Sequence, residues 1–205
     1  MKLLALDTTG KNCAVALRQP GQDDRVICEA IGRGHAERLA PMVRELLDAA
    51  GITPGALDRI GVTTGPGSFA GTRVGVAFAR GLALATGASA YGISNLAIWA
   101  QMTAERPLAV LHDAKRSELI LQIVRADGTS EAPQRLSYDA ARQACEGLAL
   151  AGSGAGLIGG ESRVADTLDM SAMLDLTARA APEQTPPAPF YARPPDAKLP
   201  GGVDA

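Results

Sequence analysis

Short apolar runs separated by polar turns open the chain. Residues 2–6 form an apolar run that ends in Asp7-Thr8-Thr9-Gly10, residues 13–17 alternate, and residues 25–30 repeat a strand-like pattern. A period of two between polar turns predicts three strands in an antiparallel meander. The period then changes. From Leu39 the apolar positions Met42, Val43, Leu46, Leu47 and Ala50 fall on one helical face, and Gly51 is a natural stop. Pro41 is tolerable in the first turn of such a helix; a start near His35 predicts a bend at the proline.

Residues 60–64 read as a buried strand running into Gly65-Pro66-Gly67-Ser68. A second helix is expected from Phe69 to about Thr86, with Ser68 as its N-cap. It carries Gly71, Gly75 and Gly81, each costing up to ~1 kcal/mol against alanine. Such a cost calls for a packing reason. Gly71, Gly75, Phe78 and Leu82 share a face that would let another backbone come close. Residues 88–93 close this half as a strand, and the order β-β-β-α-β-α-β is that of a ribonuclease-H-like lobe.

After Pro107 the pattern begins again. Residues 108–113 and 118–124 repeat the arrangement of strand, aspartate, polar turn and strand, with Asp113 in the place of Asp7. A helix over 138–146, a strand over 148–151, the glycine-rich turn 152–156 and a helix over 167–180 follow. Residues 182–202 are proline-rich and read as an extended strap. The expected fold class is therefore α/β, with two ribonuclease-H-like lobes in the actin-like ATPase arrangement and the second lobe reduced. The lobes divide as 1–102 and 103–205.

Composition narrows the function. The chain has 205 residues, 46% hydrophobic and 20% charged, the balance of a soluble globular protein. No apolar run reaches the ~18 residues needed to span a bilayer, and the N-terminus lacks a signal-peptide layout, so no membrane association and a cytoplasmic location are expected. The formal charge is -2 and aromatics are 3%, with no Lys/Arg cluster. A protein that grips RNA alone usually has a basic stripe, so this chain is expected to be a poor RNA binder by itself. Cys13, Cys28 and Cys145 form no Cys-x-x-Cys pair and are expected to be reduced, buried and inert.

Two segments could meet a phosphate. Asp7, Thr8 and Thr9 close the first strand. Gly65, Gly67 and Ser68 precede a helix whose N-terminal amides favour anions. For both, a plain polar turn stays open as the alternative. The second segment is no Walker A loop, since its lysine is missing, and residues 152–156 read better as a flexible loop than as a second phosphate loop. His35 and His112 have no paired-ligand spacing, and no Gly-x-Ser-x-Gly is present, so neither a metal site nor a serine hydrolase is expected. His112 reads as a polar residue at a strand end. His35 reads as a helix-entry or interface residue. The apolar stripe of the first helix, with the glycine face of the second, could form half of a four-helix bundle with another chain, or simply cover its own sheet.

The start Leu4-Ala5-Leu6-Asp7-Thr8, the His35-x-x-x-Leu39-x-Pro41-Met42-Val43 helix entry and the block Gly65-Pro66-Gly67-Ser68-Phe69-x-Gly71-x-Arg73-x-Gly75 resemble the TsaB (YeaZ-type) family. Gly81-Leu82-Ala83-Leu84, Gly92-Ile93-Ser94-x-Leu96, Asp113-Ala114-Lys115-Arg116-x-Glu118 and Phe190-Tyr191-x-Arg193 are similar as well. The resemblance implies an inactive relative of the catalytic subunit TsaD, which transfers threonylcarbamoyl to the tRNA adenosine next to the anticodon. It implies a heterodimer with TsaD through the N-terminal helices, with His35, Leu39, Met42, Val43, Leu46, Phe69, Gly71, Gly75 and Phe78 at the interface. TsaE completes the complex. A homodimer is expected when the chain is alone, because an apolar face without its partner pairs with itself. No cofactor of its own is implied, beyond ATP or ADP at an interface of the assembled complex. In TsaD the segment after the fifth strand carries two metal-binding histidines; here 94–99 has none. A free-standing actin-like ATP-dependent phosphotransferase is the alternative, disfavoured by the thin second lobe. A metalloprotease is disfavoured by the lack of paired ligands.

Overall fold

The structure, a computed structural model, describes residues 1–181 and 185–191. Its centre is β1 (Leu3–Asp7), buried at every position because it is flanked on both edges and covered on both faces. β2 (Asn12–Arg18) and β3 (Arg25–Ala30) continue from it as the predicted antiparallel meander. β4 (Arg59–Gly65) and β5 (Ser89–Ser94) lie parallel to it on the other side, giving the order β3-β2-β1-β4-β5. This is the ribonuclease-H-like sheet expected from the element order.

Alternation along β1 sends its side chains to two cores. Leu4 and Leu6 join Val15, Leu17, Ile60 and Val62 beneath two helices, α1 (His35–Ala49) and α2 (Phe69–Thr86). Leu3 and Ala5 face the other way, with Ala14, Ala16, Tyr91 and Ile93. That second face is covered by α5 (Met170–Arg179), through Met173 and Leu174. The helix expected at 167–180 as part of the second lobe thus packs on the first sheet. Small residues on that face explain why: Gly61 sits where any side chain would run into Thr177 of α5.

α1 begins at His35, so Pro41 lies in its second turn rather than its first. The carbonyl of Glu37, left without an amide by the proline, is on the exposed side with Pro41 and can reach water. α2 begins at Phe69 as predicted, and the Ser68 hydroxyl accepts from the Gly71 amide. Its glycine face does meet another backbone, but one of this same chain. A Cβ at Gly71 would enter the Thr8 carbonyl oxygen, and one at Gly75 would lie 2.6 Å from the Thr8 hydroxyl.

The second sheet, β8-β7-β6-β9, is built from β6 (Leu108–Asp113), β7 (Glu118–Val124), β8 (Gln134–Ser137) and β9 (Ala149–Ala151). α4 (Tyr138–Ala144) and a 3-10 turn at Ala155–Ile158 cover one face. α3 (Asn95–Gln101) covers the other and joins the lobes: Ile98 packs into the first, Leu96 and Trp99 into the second. Neither β8 nor α3 was expected. The 152–156 turn is packed rather than flexible, since the Gly154 amide donates to the Leu111 carbonyl and Gly152 abuts the Trp99 ring. His112 stacks on Trp99 at 5.9 Å between ring centroids. Burial pushes its pKa down to about 4, partly offset by Asp113. Cys13 and Cys145 are buried and burial pushes both thiols up to about 11, whereas Cys28 is exposed, contrary to expectation; all three are free.

Two outcomes follow from this packing. Gly71→Ala should lower stability by about 3 kcal/mol through overpacking, while Gly81→Ala, with nothing within 4 Å, should raise it by ~0.5–1 kcal/mol; urea unfolding midpoints compare them. His112 is held neutral, with a folded pKa below its ordinary 6.5, so its contribution is complete above pH 6.5 and is lost as pH falls towards 4. Unfolding at pH 7 and pH 5 should therefore show a larger acid loss in the parent chain than in His112→Phe.

Candidate functional site

An open cleft of about 1220 Å³ lies between the lobes. The β1–β2 turn, the start of α2, α3, the β6–β7 turn and the described part of the C-terminal strap form its walls. Asp7 is the strand-end carboxylate on the first-lobe side, and it is 5% exposed. Its Oδ1 accepts from the Thr9 amide at 2.9 Å, the Thr9 hydroxyl at 2.7 Å and the Thr63 hydroxyl at 2.8 Å. Three donors on one oxygen commit this carboxylate to shaping the turn.

The two segments singled out for phosphate are clasped to each other. The Ser68 amide donates to the Thr9 carbonyl at 2.7 Å, and a Cβ at Gly67 would lie 2.6 Å from that oxygen. The Gly71 amide is taken by the Ser68 hydroxyl. Amides of Thr9, Ser68 and Gly71 are thus engaged within the chain. Asp7, Thr9, Gly67 and Ser68 do line the cleft. Thr8 does not: it is fully buried and its hydroxyl donates to the Gly71 carbonyl at 2.7 Å. Gly65, with φ +98°, is turned towards the Phe190 carbonyl instead.

Across the cleft, Asp113 occupies the equivalent strand end. Its carboxylate accepts from the Lys115 amide at 2.9 Å and pairs with the Lys115 ammonium at 2.5 Å. Burial pushes the Asp113 carboxyl up, but these Lys115 contacts hold it below the usual range. Lys115, Arg116 and Ser117 follow in the left-handed region, with φ of 63°, 55° and 60°. Among the described residues no group of three or more His, Cys, Asp or Glu could hold a metal ion.

The strap runs along the end of the first sheet. The Gly92 amide donates to the Thr185 carbonyl at 2.9 Å and the Phe190 amide to the Thr64 carbonyl at 2.8 Å. Tyr191 then meets α2: its hydroxyl accepts from Arg73 Nε at 3.0 Å, and the Arg73 guanidinium lies 3.8 Å above the Phe69 ring. Arg193 and the rest of the expected strap lie outside the described residues.

The expected interface residues are not on one surface. Leu39, Met42, Val43 and Leu46 are 0–4% exposed inside the first core, and His35 is tied to the Asn12 carbonyl at 3.2 Å. Gly71 and Gly75 face Thr8, Phe78 is half-buried, and Phe69 alone is well exposed, at 49%. The apolar stripe serves its own sheet, the alternative left open above, because a helix has one core-facing stripe and the sheet needs it. The outward residues include Ala36, Ala40 and Arg44 of α1 and Ala77, Arg80 and Leu84 of α2. Leu84 falls out of phase with the buried positions of α2, a signal present in the helical period. No such signal marked Asn95 and Trp99, which line the cleft from an unexpected helix. Among the described residues no helix is long and apolar enough to cross a membrane.

Comparison with known proteins places the chain. The family model "TsaD: tRNA N6-adenosine threonylcarbamoyltransferase" matches residues 24–151, more than half of the chain. The tRNA threonylcarbamoyladenosine biosynthesis protein TsaB of Haemophilus influenzae is 38% identical over 131 residues, 61% of this chain and 55% of that protein. Its Escherichia coli namesake is 35% identical over 124 residues, 58% of this chain and 53% of that protein. The matched region therefore spans about half the length of these curated relatives. YeaZ from Pseudomonas aeruginosa superposes with a TM-score of 0.72 at 31% identity, covering 93% of this chain and 99% of that one. A Pseudomonas aeruginosa protein described as similar to peptidase YeaZ gives 0.74 at 31% identity, over 94% of this chain and 99% of that one. With sequence, family model and whole-chain fold in agreement, the chain belongs to the TsaB (YeaZ-type) family, a branch of the group typified by TsaD.

Proposed function

We propose that this chain is a non-catalytic subunit of tRNA threonylcarbamoyladenosine biosynthesis, and that it activates a TsaD-type subunit by pairing with it through the outer faces of α1 and α2. The observation that carries the reading is Leu84, 90% exposed on a helix whose inner face is already fully occupied. Ala77, Gly81 and Ala85 beside it are small and exposed, with Arg80 one turn away, and the small residues allow a second helix to approach closely. Isolated exposed leucines are common; one set in a stripe of small residues on a packed helix pair has the form of a docking face. The interface proposed here replaces the buried residues named from the sequence.

Several features support the absence of chemistry in this chain. Asp7 Oδ1 already accepts from Thr9 and Thr63, and the amides of Thr9, Ser68, Gly71 and Lys115 are bonded internally. Contact with tRNA would come through the complex, in keeping with the net charge of -2. TsaE is the proposed third member, any ATP or ADP would belong to an interface of the assembly, and the same helix face would form a homodimer when the partner is missing.

Leu84→Glu and Ala77→Glu place a charge on the outer face without touching the core. Each should weaken pairing with TsaD at least tenfold in a calorimetric titration and leave the unfolding midpoint nearly unchanged. Leu46→Asp, by contrast, should unfold the first lobe. In a reconstitution with the adduct-forming enzyme, TsaD and TsaE, threonylcarbamoyl incorporation into tRNA should depend on the parent chain and fail with Leu84→Glu. Incorporation that is equal without this chain would remove the activating role.

A further inference from the structure

Of the sheet edges among the described residues, all but one are met by another segment or kept short. The Gly92 amide of β5 donates to the Thr185 carbonyl of the strap at 2.9 Å. Leu150 of β9 is bridged to Ser162, and β8 has four residues and follows Pro133. Short strands, proline and covering segments keep an edge from pairing with another chain. β3 is the exception. It pairs with β2 from Arg25 to Ala30 without a bulge and contains neither proline nor lysine. Among the described residues no strand lies on its other side.

The strand is also complementary to itself. Arg25, Ile27 and Glu29 point to the α1 side, where Ile27 packs against the first core. Val26, Cys28 and Ala30 point the other way and are all exposed, Val26 at 48%. With a second β3 laid antiparallel and Ile27 opposite Ile27 of the copy, Arg25 of each chain faces Glu29 of the other. On the other side of the sheet Val26 of each chain faces Cys28 of the other. A shift of two residues in either direction would set Ile27 against a charge instead. The electrostatics of the edge favour the first register. Glu29 accepts from Arg38 Nε at 2.8 Å and Nη2 at 2.5 Å, and the same guanidinium binds Glu45. One cation thus serves two carboxylates, which leaves a negative charge beside the edge. Within its own chain Arg25 Nη1 donates to the neutral Ala49 carbonyl at 3.3 Å, so its charge is available to the copy.

We infer that β3 is a docking edge for a second copy of this chain, which pairs antiparallel to it about a two-fold axis through Ile27 and makes one continuous sheet across two molecules. Every contact in such an interface occurs twice, because one strand meets itself. Main-chain hydrogen bonds hold the pair together, and the Arg25–Glu29 pairs fix its register. The edge lies on a different element from Leu84 and the outer face of α2, so the inference stands independently of pairing with a TsaD-type subunit.

Sedimentation equilibrium of the full chain carrying Leu84→Glu, which disables the outer helix face, should show a dimer. Adding Arg25→Glu sets like charges opposite Glu29, and adding Glu29→Arg does the same opposite Arg25; each should weaken the dimer about tenfold. An equimolar mixture of these two variants restores both opposite-charge pairs and should dimerise as well as the Leu84→Glu chain, a recovery that misfolded variants could not give. Register is read by oxidation. Val26→Cys places a thiol opposite Cys28 of the copy and should give a disulfide-linked dimer, which Cys28→Ser removes. The parent chain should not cross-link, since its two Cys28 residues stand diagonally, ~7–8 Å apart, beyond the reach of a disulfide. A Leu84→Glu chain that stays monomeric at millimolar concentration would overturn the proposal. So would a mixture no better associated than either variant alone, or a Val26→Cys chain that oxidises without forming a dimer.

Discussion

The close approach of Thr8 to α2 is the constraint on which the rest of the structure depends. A turn of β1–β2 is pressed against the first turns of a helix until only glycine fits at Gly71 and Gly75. Thr8 is fully buried there, with its hydroxyl bonded to the Gly71 carbonyl. Once this contact is made, Thr9 is placed to accept from Ser68 and from Asn95, and Asp7 is held by Thr9 and Thr63. One packed turn therefore sets the helix direction, the wall of the cleft and the position of α3. The amides of Thr9, Ser68 and Gly71 are bonded within the protein, and these bonds make the turn a structural clasp.

α3 carries the second dependency. A seven-residue helix is too short to be stable alone, and it exists because both lobes bury a side of it. Ile98 belongs to one core, Leu96 and Trp99 to the other, and the cleft opens along the remaining edge. The lobes are further joined by the return of the chain: α5 leaves the second sheet to cover the first, anchored where Arg59 donates to the carbonyls of Thr177, Ala178 and Ala180. With one helix as wedge and another as cover, the cleft has rigid walls built from residues far apart in sequence.

The α1–α2 pair divides its work by face. Inner residues such as Met42 and Leu46 satisfy the sheet, and outer residues such as Ala77 and Leu84 are exposed. A charged substitution thus disturbs folding or spares it according to its phase in the helical period. The distinction is one of angle around the helix, and hydrophobicity alone does not draw it.

What the sequence by itself determined was the local order. Period-two runs and polar turns specified β1, β2 and β3, and the period near 3.6 with a serine cap specified α2 to the residue, because these preferences act over a few neighbours. The repeat of strand, aspartate and turn disclosed the second sheet for the same reason. Tertiary structure decided what local pattern cannot carry. Met42 and Val43 are equally apolar whether they meet a sheet or a partner, and only the placement of β2 beneath them settled it in favour of the core. Thr8 and Gly71 are 63 positions apart, so their contact follows from the fold. α5 read as a helix from its own residues, yet the sheet it covers was chosen by the small side chains of Ala5, Ala16 and Gly61 on a distant surface. Asn95 and Trp99 gave no local signal at all. Their place beside the cleft follows from the burial of α3 between the lobes, and burial is a property of the whole chain.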